Sequence, residues 1–525
     1  MHVVMVAAEN GAMAGGKVGG MGDVLRDVPR ALAGLKHRVT VITPGYQSLI
    51  HSNPCTLLMR LQVPFAGRTE SVEVFRVKAD AGENLISHYF MEHPLFSACG
   101  AGKIYCNDGY GPFATDAYKF ALFCAAVGEF LIREDGLPHS PDVIHIHDWH
   151  AALLAVLRRF HPGYQALQKF RLVYTIHNLS LQGVRPFADD DSSLFSWFPG
   201  LAVDMELVRD PRYGNCVNLM RCGLNLSDVV HAVSPGYAQE IVQPSDPEHG
   251  FFGGEGLEQD LQRLQTRGQL KGILNGCEYG REKLPRTRWR DLLRLAAESL
   301  DGWAASSQWL PASLYHARRR VSEWQRSRKP RHLRLVSITR LTDQKVSLLR
   351  QQVTCEGYSE PALDALLRQL GDDLYIMVGN GDPAHEAFFA RAMTEHSNFL
   401  FLQGFSEALA DALYRAGDLF MMPSSFEPCG ISQLLAMRGG TSCIVHHVGG
   451  LRDTVVPDVN GFAFSGDSPG LQARAMLDVT RSACELATGD SKAWQQLQEA
   501  AQNTRFDWDK SIHEYLRLLY RPQRQ

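Results

Sequence analysis

The feature of this sequence that most constrains its fold is a series of short runs rich in Val, Ile and Leu, each ending at Gly, Pro, Asn or a polar cluster. Stretches with a helical pattern separate these runs. Strands that alternate with helices pair in parallel and are buried on both faces, so the pattern predicts an α/β fold with parallel sheets. The predicted strands are residues 2–8, 38–44, 142–147, 171–177, 229–234, 271–274, 333–339, 374–378, 399–403, 419–423 and 442–446.

The chain is too long for one hydrophobic core, since it has 525 residues, so at least two domains are expected. The alternation pauses once, between residues 278 and 331, in a helical stretch rich in Arg, Trp and Leu. We place the domain boundary before Lys271, which predicts doubly wound, Rossmann-like domains over 1–270 and 271–504. The amphipathic, aromatic residues 506–520 predict a closing helix, within 505–525, that packs back on the first domain.

Charge and cysteine content exclude several classes of protein. The 53 basic and 57 acidic residues are well mixed and give a net charge of -4, which offers no reason to expect a nucleic-acid or membrane partner. The N-terminus lacks the pattern of a secretion signal, and no apolar run is long enough to span a bilayer. The 11 cysteines show no CxxC spacing, so we expect reduced, mostly buried thiols and a cytoplasmic protein.

Two glycine-rich turns follow predicted strands. Lys17, Gly19 and Gly20 come after the first strand, where backbone N–H groups and a cation suit a phosphate. The pair Gly449 and Gly450 follows a later strand in the same way. For the first loop, a flexible turn without a ligand is an equally good interpretation.

A cluster of His145, His147, Asp148 and His150 lies at another strand end. Such a cluster suggests a metal site, but a strand places only His145 and His147 on one face, and no further ligands are identifiable. A wall of hydrogen-bonding side chains is therefore the preferred interpretation, and no metal or cofactor is predicted. His177, at the next strand end, is suited to donate to a sugar hydroxyl or to a developing oxyanion.

Charged residues also end two strands of the second half. Arg340 and Lys345 are spaced to converge on a pyrophosphate, although exposed cations on a surface loop are common. Glu427 is suited to act as a base, a nucleophile or an acceptor for sugar hydroxyls, and a capping carboxylate is the alternative. Cys429 has no identifiable His partner and is interpreted as structural.

Taken together, these segments resemble the bacterial and plant glycogen/starch synthase family, retaining glucosyltransferases of the GT-B fold. That fold has two Rossmann-like, doubly wound domains facing a central cleft. The matching segments are KVGG at 17–20, HDWH at 147–150, TIHN at 175–178, VSPGY at 233–237, ILNG at 273–276, RLTDQK at 340–345, FEPCG at 426–430, GGLRDT at 449–454 and FDW at 506–508.

The resemblance implies transfer of glucose from ADP-glucose to the non-reducing end of an α-1,4-glucan, with retention of configuration and without a metal. It makes the first domain the acceptor-side, starch synthase catalytic domain and the second the nucleotide-sugar-binding domain. The implied partners are ADP-glucose and the glucan. The implied catalytic residues are Glu427, His177, Arg340 and Lys345, and the implied substrate-binding residues are Lys17, Gly19, Gly20, Asp23, Asp148, Asn275, Gly449 and Gly450.

Some positions depart from the family pattern. Ser425 stands where an Arg is usual, Val346 where a Gly is usual, and Cys277-Glu278 where Ile-Asp is usual. Three further hypotheses stay open. One is a related transferase that uses UDP-glucose or a small acceptor, and another is a catalytically weak paralogue that binds glucan. The last is a metal-dependent hydrolase built on the histidine cluster.

Overall fold

The computed structural model describes residues 1–78, 84–106, 108, 113–133, 135–280, 283–307, 310–327, 333–355 and 357–521. By its internal contacts the chain divides into two compact units. The first unit contains Met1–Ser245, Gly253–Gly276 and Trp508–Gln525, and the second contains Asp246–Phe252 and Cys277–Asp507. The domain ranges 1–270, 271–504 and 505–525 stay predictions.

The first unit alternates strands with helices over most of its length. Its strands are β1 His2–Val6, β2 Arg38–Pro44, β3 Cys55–Phe65, β4 Arg68–Val77, β5 Ile86–Glu92, β6 Val143–His147, β7 Arg171–Ile176, β8 Val184–Pro186, β9 Cys216–Asn218, β10 Val229–Ala232 and β11 Leu270–Gly272. Its helices are α1 Gly20–Gly34, α2 Ser48–Ser52, α3 Ala114–Ile132, α4 Asp148–Phe160, α5 Leu194–Trp197, α6 Met205–Val208, α7 Leu219–Leu226, α8 Pro235–Glu240 and α9 Glu258–Thr266, with 3-10 turns at Pro94–Ser97 and Pro162–Lys169.

Within the described residues, the main sheet of the first unit has the order β11-β10-β7-β6-β1-β2-β5-β4-β3. Strands β5, β2, β1, β6, β7, β10 and β11 are parallel. Strand order reverses between β1 and β6, and ligands of doubly wound sheets bind outside the carboxyl ends of the strands at that point. The predicted parallel α/β fold is confirmed for this core.

Two features of this sheet differ from the sequence prediction. Strands β3 and β4 form an antiparallel hairpin that also pairs antiparallel with β5, whereas only parallel strands were expected. The edge strand Cys55–Phe65 is largely exposed along its first half, so it lacks the continuous apolar run of a buried strand. Strand β11, which the prediction gave to the second set of strands, pairs through its backbone with β10 of this sheet.

The C-terminal helix Trp508–Glu514 and the following π-helix Tyr515–Tyr520 belong to the first unit, as predicted. Trp508, Ile512 and Leu519 are buried in the same core as β1 and α1. The indole N–H of Trp508 donates to Asp27 at 3.2 Å. The apolar face of the segment is therefore covered by the first sheet, and the prediction of a closing helix is confirmed.

The second unit repeats the alternation. Its strands are β12 Arg334–Ile338, β13 Gln352–Cys355, β14 Tyr358–Pro361, β15 Leu374–Gly379, β16 Phe399–Gln403, β17 Leu419–Met422, β18 Ser442–His446 and β19 Gly461–Phe464. Its helices are α10 Trp289–Ser306, α11 Ala312–Arg326, α12 Asp343–Arg350, α13 Ala362–Leu370, α14 Pro383–Glu395, α15 Glu407–Ala416, α16 Ser432–Arg438, α17 Gly449–Thr454, α18 Pro469–Gly489 and α19 Ser491–Asn503, with a 3-10 turn at Pro247–His249.

The main sheet of the second unit, among described residues, is parallel throughout with the order β16-β15-β12-β17-β18-β19. When only the strands of this sheet are numbered, the order is 3-2-1-4-5-6, the dinucleotide-fold order, with its switch point between β12 and β17. The helical stretch predicted before β12 is present as α10 and α11, which pack into the core of this unit.

The expectation that all cysteines are reduced is wrong. Cys99 and Cys106 form a disulfide. The glycines between them, Gly100 and Gly102, both adopt positive φ, and the resulting turn brings the two Cα atoms to 5.7 Å, within disulfide reach. The other cysteines whose side chains are described are free, and most of them are buried as predicted: Cys124, Cys222, Cys277, Cys429 and Cys443.

In the described part of the chain, no helix combines the length and the apolar character needed to cross a membrane.

Candidate functional site

The glycine-rich loop after β1 wraps around the carboxylate of Glu9, a residue that the sequence analysis did not single out. Its Oε2 accepts N–H bonds from Val18 at 2.9 Å, Gly19 at 2.7 Å and Gly22 at 3.2 Å. Its Oε1 accepts the hydroxyl of Tyr105 at 2.8 Å. Glu9 is only 3% exposed. An internal carboxylate thus binds the amide of Gly22 in the first turn of α1 and the two amides just before the helix.

Lys17 and Asp23 meet at the same helix start. The ammonium of Lys17 lies 2.7 Å from Asp23 Oδ1, which also pairs with Arg26 at 2.9 Å. The side chain of Lys17 is 38% exposed, and Gly20 is exposed at the first position of α1. The structure therefore brings the four predicted residues of this loop together, but the Gly19 amide points at Glu9. Their role in binding substrate stays a prediction.

Asp148 ties the end of β6 to the end of β7. Its Oδ1 accepts the backbone N–H of His177 at 2.7 Å and that of Asn178 at 3.4 Å. Its own φ is +52°, in the left-handed region that Asp and Asn tolerate best among residues with a side chain. Burial raises the pKa of Asp148 to about 7, against the two N–H bonds that favour the charged form.

Replacing Asp148 by Asn is expected to change stability in a pH-dependent way. A raised folded-state pKa means that the native protein holds a proton that the unfolded chain releases above about pH 4, so this group costs stability as pH rises towards 7. Asn keeps the acceptor oxygen and the backbone conformation but does not ionise. Relative to wild type, the variant should gain about 2 kcal/mol between pH 5 and pH 8. Urea unfolding at both pH values measures this, and a pH-independent difference would contradict the assignment.

Neutral histidines line the strand ends beside Asp148. His147 Nδ1 lies 3.0 Å from His177 Nε2. His145 Nε2 lies 2.6 Å from the hydroxyl of Thr175, which lies 3.0 Å from His231 Nδ1. Desolvation lowers the pKa of His177 to about 3 and that of His231 to about 4, and it lowers the pKa values of His145 and His147 well below the usual range. At neutral pH these imidazoles therefore act as uncharged hydrogen-bonding groups.

The geometry does not gather His145, His147 and His150 into a metal site. Within the described ranges, the set of three potential ligands with their atoms within 4.8 Å of one another is Asp364, Glu395 and His396. His145 instead bonds to Thr175 and, through Nδ1, to a tyrosine hydroxyl of the C-terminal segment at 2.9 Å. The hydrogen-bonded wall is the better interpretation of the cluster.

Asn275, just after β11, offers a free acceptor. The residue is 3% exposed, and its Oδ1 has no hydrogen-bond partner among the described residues. A buried polar atom without a partner is costly, so it points to a ligand or water. This fits the predicted sugar-contacting role, which stays a prediction.

In the second unit, the switch point carries an ion pair between Lys345 and Glu427. Lys345 is in the first turn of α12, after β12, and Glu427 follows β17. Glu427 also accepts the hydroxyl of Ser424 at 3.0 Å, and it is 5% exposed. Parallel pairing of β12 with β17 brings together two residues that are 82 apart in sequence. This is the arrangement expected of a site at strand carboxyl ends.

The backbone around Glu427 is fixed by close contacts. Gly450, in α17, donates its N–H to the carbonyl of Glu427 at 3.0 Å. A Cβ on Gly450 would lie 2.3 Å from the carbonyl oxygen of Cys429, so no side chain fits there. Gly449 has φ +44° at the helix start. Gly450 thus holds the Glu427 segment, and the predicted contact of both glycines with substrate stays a prediction.

Arg340 lies in the loop between β12 and α12. Its side chain is exposed and makes no ion pair with any residue that the structure describes. An unpaired guanidinium three residues before the helix that carries Lys345 is available to an anionic ligand.

The structure shows the local surroundings of two residues that depart from the family pattern. Ser425 donates or accepts a 2.6 Å hydrogen bond with the hydroxyl of Ser347. Val346 is fully buried inside α12, where a residue with a side chain fits the helical backbone. The helix after Glu427 begins at Ser432, just after Gly430 turns the chain with φ +75°.

Comparisons with known proteins match both halves of the chain to the family that the sequence resembles. The family described as starch synthase catalytic domain matches residues 2–263, and the family described as glycosyl transferases group 1 matches residues 359–482. The glycogen synthase of Streptococcus sanguinis (strain SK36) is 33% identical, over 98% of this chain and 98% of its own length. This chain belongs to the glycogen/starch synthase family.

Other members agree. The glycogen synthase of Koribacter versatilis (strain Ellin345) is 31% identical over 99% of this chain and 97% of its own. The catalytic domain of starch synthase IV from Arabidopsis thaliana, solved with ADP and acarbose, superposes with a TM-score of 0.76 at 26% identity, covering 99% of this chain and 98% of that one. The predicted GT-B class is confirmed by this match, and this glycogen/starch synthase family member is a glucosyltransferase.

Proposed function

We propose that this protein transfers glucose from ADP-glucose to the non-reducing end of an α-1,4-glucan, with retention of configuration. The observation that carries the proposal is the Lys345–Glu427 pair at the switch point of the second sheet. The related starch synthase IV structure holds ADP and acarbose, which supports an adenine nucleotide and a glucan as ligands here.

The diphosphate is the first requirement of the proposed reaction. Arg340 and Lys345 bind it, because both lie at the carboxyl end of β12 and the Arg340 guanidinium has no internal carboxylate partner in the described structure. Cations placed there stabilise the charge that grows on the departing nucleoside diphosphate. Lys17 and Gly20, exposed at the start of α1, keep their predicted role in binding the donor.

The donor glucose is the second requirement. Glu427 accepts hydroxyl hydrogens, and its negative charge favours an oxocarbenium-like transition state. Neutral His177 donates to the sugar, and Asn275 Oδ1 supplies a free acceptor. Asp148 positions the His177 and Asn178 backbone.

Retention is proposed to occur on the front face of the sugar. Among the described residues, Glu427 is held by Lys345 and Ser424 and so serves as an acceptor and counter-charge rather than as a free nucleophile. The leaving phosphate oxygen takes the proton of the acceptor hydroxyl as the new bond forms on the same face. Precise positioning and exclusion of water then account for most of the acceleration.

One observation favours a second candidate, a transferase with UDP-glucose or a small acceptor. Ser425, beside Glu427, pairs with Ser347 where the family pattern has a cation. Without a cation next to the carboxylate that binds the donor, the site is expected to prefer a different donor or acceptor.

The donor and acceptor are tested by measuring release of nucleoside diphosphate. ADP-glucose and UDP-glucose are supplied in parallel with glycogen, a malto-oligosaccharide series or no acceptor, all with EDTA. The proposal predicts release from ADP-glucose that requires glucan and is insensitive to EDTA. Release from UDP-glucose alone, or only with a small acceptor, would move the assignment to the second candidate. Glucan binding without turnover of either donor would indicate a weak paralogue.

The site of action is proposed to be the cytoplasm. The buried free thiols of the described core support this, as does a nucleotide-sugar donor.

A further inference from the structure

The second unit contains a small basic pocket away from Arg340, Lys345 and Glu427. Its volume is about 180 Å³. The described residues that line it are Tyr279, Gly280, Lys283, Leu284, Asp411, Arg438, Gln502 and Arg505. They come from the segment after Cys277, from helices α15, α16 and α19, and from the chain just before the C-terminal helix.

The charges of this pocket are unbalanced. Lys283, Arg438 and Arg505 make no ion pair with any described residue. The one carboxylate of the lining, Asp411, is already paired with Arg415. Elsewhere in the unit, arginines are typically matched, as where Arg334 pairs with a carboxylate at 2.9 Å. Three unmatched cations around one small cavity favour an anion that satisfies them.

The pocket also presents directed donors. Arg438 donates through Nη1 to the carbonyl of Glu278 at 2.7 Å, while its Nε is buried without a partner. The guanidinium of Arg505 lies over the ring of Tyr279, 4.7 Å from its centroid, which fixes its plane. The Tyr279 hydroxyl accepts the N–H of Phe506 at 3.2 Å, so its own hydrogen is free to be donated.

We propose that this pocket binds an oxoanion of the phosphate class, as a ligand site separate from the proposed substrate site. Guanidinium groups and an ammonium around a cavity of this size match the charge and the several acceptor oxygens of a phosphate group. None of the residues that line the pocket takes part in the proposed transferase activity.

The pocket lies beside two chain segments that a bound ligand would stabilise. Among the places where the chain passes from one unit to the other, two follow Gly276 and Asp507. Just inside the second unit, the N–H of Cys277 donates to the carbonyl of Phe506 at 2.7 Å, and Tyr279 and Arg505 flank this bond. An oxoanion held by Tyr279 and Arg505 therefore stabilises the paired segments at both passages, and it is expected to raise the melting temperature.

The test is isothermal titration of the full-length protein with inorganic phosphate at constant ionic strength. One site is expected. Lys283→Ala and Arg505→Ala should each weaken phosphate binding about tenfold or more. Lys283 is exposed, so Lys283→Ala is expected to leave folding unaffected. This variant therefore tests the pocket even if Arg505→Ala, which removes the stack on Tyr279, disturbs folding. Lys492→Ala, which removes an exposed cation from α19 of the same unit, is the matched control and should bind as wild type does.

Arg340→Ala separates the two sites of the unit. Phosphate binding that survives Arg340→Ala and is weakened by Lys283→Ala supports the pocket. Binding that is lost in Arg340→Ala but unchanged in Lys283→Ala and Arg505→Ala would overturn the proposal and assign the phosphate to the substrate site. Absence of saturable binding, or equal weakening by Lys492→Ala, would overturn it as well.

Discussion

Glu427→Ala is expected to lower kcat by about 10²–10³-fold without unfolding the protein. The carboxylate is the point where the ammonium of Lys345 and the hydroxyl of Ser424 converge, and in our proposal it receives the donor glucose. Removing it takes away both the acceptor for the sugar and the negative charge that favours the transition state. Initial rates of glucan-dependent nucleoside diphosphate release measure the effect.

Two further variants make that result interpretable. Glu427→Gln keeps the shape and the hydrogen-bonding oxygen, so it separates the loss of charge from the loss of contact. Glu499→Ala removes an exposed carboxylate from α19 in the same unit and should leave kcat at the wild-type level. If Glu427→Ala keeps more than about a tenth of the wild-type kcat with an unchanged melting temperature, Glu427 is not the centre of the site.

Glu9→Ala is expected to reduce stability by about 3 kcal/mol and kcat/KM by about 10²-fold. The substitution leaves the amides of Val18 and Gly19 and the hydroxyl of Tyr105 without their acceptor, and it removes one of the two acceptors of the Gly22 amide. The loop that carries Lys17 then loses the group around which it is wrapped. Urea unfolding and initial rates measure the two effects separately.

Glu9 acts through the loop, so it is a positioning residue, and rescue is the decisive readout. Glu9→Gln keeps one acceptor oxygen for the amides and can donate its side-chain N–H to the oxygen of Tyr105, so it should recover much of both losses. Tyr105→Phe removes a single hydrogen bond and should have a smaller effect than Glu9→Ala. A Glu9→Ala variant with wild-type kcat/KM would show that the loop does not need this carboxylate.

Much of the fold could be predicted because buried parallel strands leave a strong pattern. Strands β2, β16 and β18 begin and end where their apolar runs do, at Arg38–Pro44, Phe399–Gln403 and Ser442–His446. The edge hairpin could not be found in this way, since β3 and β4 face water over much of their length and their apolar residues are interrupted by charged ones. The antiparallel edge is therefore recognised from the pairing of the strands in the structure and not from their amino-acid composition.

The candidate site was predictable as a set of positions but not as a set of contacts. Glu427 and Arg340 were found because each follows an apolar run, where parallel sheets place their ligands. The resemblance to a family supplied the roles. The pairing of Lys345 with Glu427 depends on the register between β12 and β17, which no local pattern encodes. Glu9 was also missed, because the role of an acid just after a strand becomes visible only when the amides around it are known.

In our proposal, glucose moves from ADP-glucose to the non-reducing end of an α-1,4-glucan with retention. To test this, the protein is incubated with maltoheptaose and ADP-glucose labelled in the sugar, and the product is then digested with an exo-acting glucosidase specific for terminal α-1,4 bonds. The account predicts labelled chains longer than the primer, from which this digestion releases all of the label. Label that stays on the chain after digestion, or that appears only as free glucose before it, would contradict the account.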